Sequence, residues 1–351
     1  MKKFENIQAL RAIAAMMVVF FHIAGLEMRY FHGMALSPYF TDLGNAGVDI
    51  FFVISGFIMV QVTQGKFQNK FEINKFFLNR IKRIYPLYWF YSLLVVLAIF
   101  IYPHISSHKW SVDGLIKSFL LIPQQGDPYL IVGWTLIHEM YFYITMILLL
   151  CAPEKFFVSL LWIWIFFIII CHFIHSFTSP IMLLITHPLT CEFIAGCLVA
   201  KLYSKIKKLL AWFIFLCGII MFMVVGYGHI LTGNITNNWL RVELYGVPSV
   251  LLVWGSILLG QYNVLFPVFL RKLGDASYSI YLSHLLVIAG LGILFKRADV
   301  NNILLHATCL IMQLILAIMV GLISYKYLEK PLILFFTKKK EIKIAPSMLS
   351  A

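Results

Sequence analysis

Ten stretches of apolar residues follow one another along the chain, each long enough to cross a bilayer as a helix. They cover 7–26, 44–63, 84–103, 131–151, 155–174, 185–203, 208–230, 244–261, 275–295 and 303–327. A hydrocarbon core of about 30 Å needs ~20 such residues. The sixth and eighth are the weakest of the ten. The stretch 71–83, FEINKFFLNRIKR, mixes aromatic and basic side chains and reads as an interfacial segment ahead of the third span. The piece 115–122 is too short to span and reads as re-entrant or interfacial. The remaining connections are short and leave no room for a separate soluble domain. No internal repeat or low-complexity tract interrupts the series. The first apolar stretch lacks a small-residue cleavage site, so it reads as a span and not as a cleaved leader. The predicted fold class is all-α: a polytopic membrane bundle of about ten helices.

Composition agrees with the pattern. Hydrophobic residues make up 61% of the 351 and charged residues only 12%. Soluble domains carry roughly 25% charged residues, so this chain could not cover a soluble surface. The formal net charge is +13, which by itself would suit nucleic acid, anionic lipid or a phosphate-bearing ligand. Its distribution decides. With the N-terminus inside, 21 Lys and Arg fall on inner segments and 6, Arg241 among them, on outer ones. That asymmetry orients the bundle with both termini cytoplasmic and removes the case for nucleic acid. The six cysteines have no framework spacing and read as small buried hydrophobes.

Ionisable residues inside spans are costly and mark functional positions by default. Arg11 and His22 share the first span, 11 residues apart. This is three turns plus about 20°, so they lie on one face about 16 Å apart along the axis. Asp49, near the outer end of the second span, lies at a depth similar to His22. If the two pair, the carboxylate fixes the imidazole tautomer and leaves the other nitrogen as a base. The competing reading is a helix-start Asp held by the dipole. Glu139 in WTLIHEMYFY, Glu192 in the sixth span and His284 in YSIYLSH are each open to a structural or a functional reading.

Near the inner mouth, Arg80 and Arg83 of NRIKRIYP are three residues apart and share a face. With Arg11 at the same level they are either topology anchors or a bidentate phosphate clamp. Cations inside and histidine with carboxylates further out suit a phosphate-bearing donor entering from the cytoplasm and a base waiting deeper. The absent motifs narrow the chemistry. Ser55 lacks the glycine of a nucleophile elbow, and His138-Glu139 has no second His for a zinc site. Cys171, His172 and His175 lack a fourth ligand. No metal is expected.

The ordered segments IQALRAIAAMMVVFFH, GNAGVDIFFVISGFIM, RIKRIYPLYW, GDPYLIVGWTLIHEMYFY, LGDASYSIYLSH and YLEKP resemble acyltransferase family 3, the bacterial integral-membrane O-acyltransferases. The resemblance covers nearly the whole chain and leans toward the exopolysaccharide-acetylating branch. It implies that His22 of the Arg/Lys-x10-His motif serves as base or acyl relay, with Arg11 as its partner. It maps Arg-x-x-Arg onto Arg80 and Arg83, and Tyr-Leu-x-His onto Tyr281, Leu282 and His284. The GVD and WTLxxE motifs add Asp49 and Glu139 to the catalytic set, with Tyr281 and Glu192 toward the acceptor. The implied donor is acetyl-CoA, and the implied acceptor is a hydroxyl of a free or lipid-linked glycan.

The expected organisation is a membrane acyltransferase domain over 1–335 and a short basic cytoplasmic tail over 336–351, without the esterase-like SGNH domain that some members carry. The expected location is the bacterial inner membrane, among lipid, and a homo-oligomer is compatible with the sequence. Two rivals stay open at this point. A glycan transporter shares the buried charges but should show inverted repeats and paired broken helices. A non-catalytic subunit of a polysaccharide assembly complex would show no turnover by itself.

Overall fold

The computed structural model describes residues 4–31, 43–102, 111–174, 177–204, 206–232, 237–297 and 303–338. The described residues are 85% helical, with no strand among them. Among the described residues ten helices are long and apolar enough to cross a membrane: Glu5–Met28, Leu43–Thr63, Lys70–Ile101, Gly133–Cys151, Glu154–Ile174, Pro180–Leu202, Lys208–Gly228, Asn238–Gln261, Ser277–Phe295 and Leu304–Phe336. They are called the first to tenth spans below. The expected boundaries agree within a few residues except at the third, sixth, eighth and tenth, which run longer. Most of the 336–351 tail lies outside the described residues.

Burial sorts the spans into a centre and a rim. The second is the most enclosed, with 72% of its most apolar stretch buried, whereas the seventh has 17%. Rim spans turn large apolar side chains outward, such as Phe166 and Phe167 on the fifth and Ile220 and Met223 on the seventh. This is the reverse of a soluble protein and fits a lipid solvent.

Little hydrophobic force draws helices together in lipid, so close backbone approach must do it. The second and sixth spans cross at a pair of glycines. A Cβ on Gly56 would lie 1.9 Å from the Phe193 carbonyl oxygen, and one on Gly196 would lie 2.0 Å from that of Val53. The short helix Val268–Asp275 approaches the first span as tightly, where a Cβ on Gly274 would meet the Gln8 carbonyl at 1.8 Å. Asn6 fastens the same corner. Its amide donates to the carbonyls of Ser256 and Val264 at 3.0 and 2.8 Å and accepts from Phe266 N–H at 3.0 Å.

The third span departs from expectation. Residues 71–83 are not a separate interfacial segment but the first turns of one 32-residue helix, Lys70–Ile101, with Pro86 inside it. At about 1.5 Å per residue this helix is ~48 Å long, well beyond the hydrocarbon core. The polar turns therefore extend past the apolar slab instead of lying on it. The piece 115–122 becomes a helix, Val112–Leu120, set against the middle of the third span. Tyr88, Trp89 and Tyr85 donate to the carbonyls of Ser118, Phe119 and Leu120 at 2.7, 2.9 and 2.9 Å. Three carbonyls at a helix end thus accept from aromatic side chains, Ser118 O taking Leu121 N–H as well.

Candidate active site

A cavity of about 350 Å³ opens among the first, second, third, fourth and ninth spans. Arg11, Arg80, Arg83, Glu139 and Tyr143 supply much of its polar lining, and Tyr278 and Tyr281 come from the ninth span. The second span contributes mainly apolar wall, including Phe51, Ile54 and Met59. The 80/83 spacing gives one helical face, and that face and Arg11 of the first span line the same cavity.

The guanidinium groups keep most of their donors. Arg11 gives one bond to Gln8 Oε1 at 3.1 Å. Arg80 stacks over the rings of Phe76 and Tyr143, 5.4 and 5.6 Å from the centroids, and its buried Nε has no hydrogen-bond partner among the described residues. Glu139 accepts a hydrogen bond from the Tyr143 hydroxyl one turn below it. Three fixed cations against a single carboxylate, walled by apolar side chains, make a site for an anionic group carrying an apolar arm.

At the far side of this cavity Tyr281 shares a hydrogen bond with Thr135 at 2.7 Å and donates to the Val132 carbonyl at 3.2 Å. One helical turn on, His284 meets His22. The Nε2 of His284 lies 3.3 Å from the Nδ1 of His22, with the rings edge to face at 4.9 Å. Neither histidine is part of the cavity lining; Tyr281, 5.9 Å from the His284 ring, stands between. Backbone carbonyls set the tautomers. His22 Nδ1 is 2.9 Å from Val18 O, and His284 Nδ1 is 3.2 Å from Ile280 O. A carbonyl can only accept, so both Nδ1 atoms carry the proton. His22 Nδ1–H is then shared between the Val18 carbonyl, the shorter contact, and His284 Nε2, and His22 Nε2 is left with the lone pair of a base.

The expected pairing of His22 with Asp49 does not occur. The fully buried Asp49 binds Arg241 through two bonds, Nη2 to Oδ2 at 2.7 Å and Nε to Oδ1 at 3.1 Å. Arg241 also donates to the carbonyl and side-chain oxygens of Asn45 at 3.3 and 3.4 Å. Similar depth gave one coordinate only; the rotation of the second span turns Asp49 toward the eighth. Glu192, also buried, stands beside Asp49, and neither of its carboxylate oxygens has a hydrogen-bond partner among the described residues. It packs so closely on the eighth span that a Cβ at Gly246 would sit 2.8 Å from its Oε1. His138 and His187, with rings 4.8 Å apart, complete this second polar cluster.

The nine expected site residues therefore fall into three groups. Arg11, Arg80, Arg83, Glu139 and Tyr281 line the cavity. His22 and His284 form the pair just beyond it. Asp49 and Glu192 belong to the Arg241 cluster. Arg241 itself was counted as an outer-loop charge in the sequence. A carboxylate at Asp49's depth in a span is a signal for a buried cation, and Arg241 is that cation. Among the described residues no group of His, Cys, Asp and Glu is arranged to hold a metal; of the trio Cys171, His172 and His175, the last lies outside them.

Comparison with known proteins gives a family. A family model described as an acyltransferase domain matches residues 4–324. The chain is 28% identical over 321 residues to the exopolysaccharide production protein ExoZ of Rhizobium meliloti, covering 86% of this chain and 94% of that one. It is 28% identical over 305 residues to a chain of Acidianus two-tailed virus provisionally named an acetyltransferase, covering 82% and 84%. It is 29% identical over 170 residues to the acyltransferase MdmB of Streptomyces mycarofaciens, covering 46% and 42%. No solved structure matches.

Proposed function

This chain belongs to the acyltransferase family, and from that premise we propose that it moves an acetyl group from acetyl-CoA to a hydroxyl of an exported or cell-surface glycan. It is a multi-pass membrane enzyme, and its proposed location is the bacterial inner membrane, with the donor entering from the cytoplasm. The observation that carries the reading is the cavity. Arg11, Arg80 and Arg83 face it from one side, and Tyr281 closes it one helical turn from His284 and His22. A donor with phosphates at one end, an apolar arm and a thioester at the other matches that order. The name of the Rhizobium relative supports a polysaccharide acceptor.

In the proposed reaction His22 Nε2 takes the proton of the acceptor hydroxyl as its oxygen attacks the thioester carbonyl. The carbon–sulfur bond then breaks, and the leaving thiolate recovers the proton from the imidazolium. The products are an O-acetyl ester and free coenzyme A thiol, so no net proton leaves the site. His284 Nε2 accepts from His22 Nδ1–H and steadies the imidazolium while it exists. The orienting role expected of Asp49 passes to His284 and the Val18 carbonyl.

The test is transfer by the purified protein in lipid nanodiscs, given radiolabelled acetyl-CoA and surface glycan from a deletion strain. His22→Ala should abolish transfer while the protein still binds coenzyme A. Full transfer by that variant would refute the mechanism. Mass spectrometry of the strain's glycans, searched for a missing acetyl mass, identifies the acceptor.

A further inference from the structure

A second cavity, of about 260 Å³, shares Gln8, Arg11 and Arg83 with the first. Its other walls include Asp275, Tyr325, Glu329 and Lys330. These residues lie where the first and ninth spans begin and the tenth ends. It is therefore an antechamber, joined to the main cavity through two arginines. The main cavity sets one carboxylate against three guanidinium groups. The antechamber is more mixed in sign, with Arg11, Arg83 and Lys330 against Asp275 and Glu329.

Glu329 is built into this wall. It is 2% exposed, and its Oε2 accepts from the Ser279 hydroxyl at 2.6 Å. It ends a π-helical turn, Tyr325–Glu329, inside an otherwise α-helical tenth span. A π turn inserts one residue, rotates the remainder of the helix by about 100°, and recurs at functional positions. The segment after it is pinned by Lys82, which donates to the Phe336 carbonyl at 2.8 Å. The antechamber wall is thus held by two elements that differ from plain helix packing.

We propose that this antechamber binds the nucleotide end of the acyl donor, a purine nucleoside phosphate. The assignment rests on the coenzyme A reading given above. Arg11 and Arg83 sit at the junction, where they meet the diphosphate between nucleoside and apolar arm. Lys330, at the open side, meets the remaining phosphate. Asp275 and Glu329 accept from ribose hydroxyls or the exocyclic amine, groups that a carboxylate recognises and an anionic lipid headgroup lacks in that combination. The two cavities then divide one ligand by chemistry: charged and hydroxyl-rich outside, apolar arm and thioester within.

The test uses the full chain in phosphatidylcholine nanodiscs. Affinity is measured for coenzyme A, adenosine 3′,5′-bisphosphate and 4′-phosphopantetheine, with Lys330→Ala and Glu329→Gln beside the wild type. The bisphosphate should bind the wild type and compete with acetyl-CoA. Each variant should weaken it about tenfold, the scale of one charge-assisted hydrogen bond, and change phosphopantetheine binding less than twofold. Lys330 is exposed, so its variant tests the site even if Glu329→Gln fails to fold. Coenzyme A binding with no bisphosphate binding would overturn the antechamber assignment alone, as would displacement of the bisphosphate by phosphatidylglycerol. No coenzyme A binding at all would overturn the proposed donor and this assignment with it.

Discussion

Asp49 of the second span and Arg241 of the eighth form a two-bond ion pair, with Nη2 to Oδ2 at 2.7 Å and Nε to Oδ1 at 3.1 Å. Asp49 is fully buried, and its neighbours Val48, Phe51 and Phe52 form part of the cavity wall. The pair therefore sets the rotation of the helix that walls the cavity. Removing one member leaves a buried charge alone, a loss of about 3–5 kcal/mol. Arg241→Ala is expected to lower the melting temperature in detergent sharply. Because Asp49 does not orient His22, the neutral pair Asp49→Asn with Arg241→Gln should recover most stability and transfer activity together. Recovery of stability without activity would instead give Asp49 a direct catalytic part. Thermal melts and initial rates on the four-variant cycle decide it.

The His22–His284 contact makes a graded prediction. His22→Ala removes the proposed base, which should lower kcat by about a hundred- to ten-thousand-fold. His284→Ala removes one of two acceptors for His22 Nδ1–H, leaving the Val18 carbonyl in place, and should have a smaller effect. His284→Gln restores an oxygen acceptor and should recover part of the loss. Equal losses for Ala and Gln at 284 would show that His284 has a role other than holding its partner's proton. Steady-state kinetics with saturating acetyl-CoA separates these outcomes.

Much of the architecture was legible in the chain. Ten apolar stretches gave ten spans because lipid-facing helices need about 20 apolar residues with little else between. The arginine cluster was also readable, since the 80/83 spacing fixes one face and the inner level of Arg11 comes from its place near the start of its span. Depth, however, is one coordinate. It put His22 and Asp49 at similar heights and could not say that helix rotation separates them. Charged turns hid two helix starts. The bases of 71–83 and the position of Arg241 read as span ends, yet both continue the helix. The π turns Val242–Gly246 and Tyr325–Glu329 have no signature in the hydrophobic period, and each adjoins a buried charge.

The glycine crossing of the second and sixth spans should tolerate no side chain. A Cβ on Gly56 would lie 1.9 Å from a backbone oxygen that cannot rotate away. Gly56→Ala should separate the helices and abolish the folded protein. Gly25, in the first span, has nothing within 4 Å of its would-be Cβ. Gly25→Ala should be neutral or stabilise by up to about 1 kcal/mol, from helix propensity. Fluorescence-detected size-exclusion of the two variants, before and after a heat step, gives the comparison. A monodisperse Gly56→Ala peak surviving as wild type does would contradict the packing.

Arg80 separates charge from geometry. Its guanidinium lies over Phe76 and Tyr143, 5.4 and 5.6 Å from the ring centroids, with donors turned to the cavity. A lysine there keeps the positive charge but has neither the planar face to stack nor the fork to bind two phosphate oxygens. If Arg80 were only a topology anchor, Arg80→Lys would be silent. If it holds a donor phosphate, the variant loses about one charge-assisted hydrogen bond, roughly tenfold in donor affinity. The loss should appear in KM for acetyl-CoA, with kcat nearly unchanged, because the phosphate end is held alike in ground and transition states. Acetylated pantetheine, which lacks the diphosphate, should be turned over equally by wild type and variant. A KM effect of the same size on both donors would place Arg80 in the structure of the cavity and not on the phosphate.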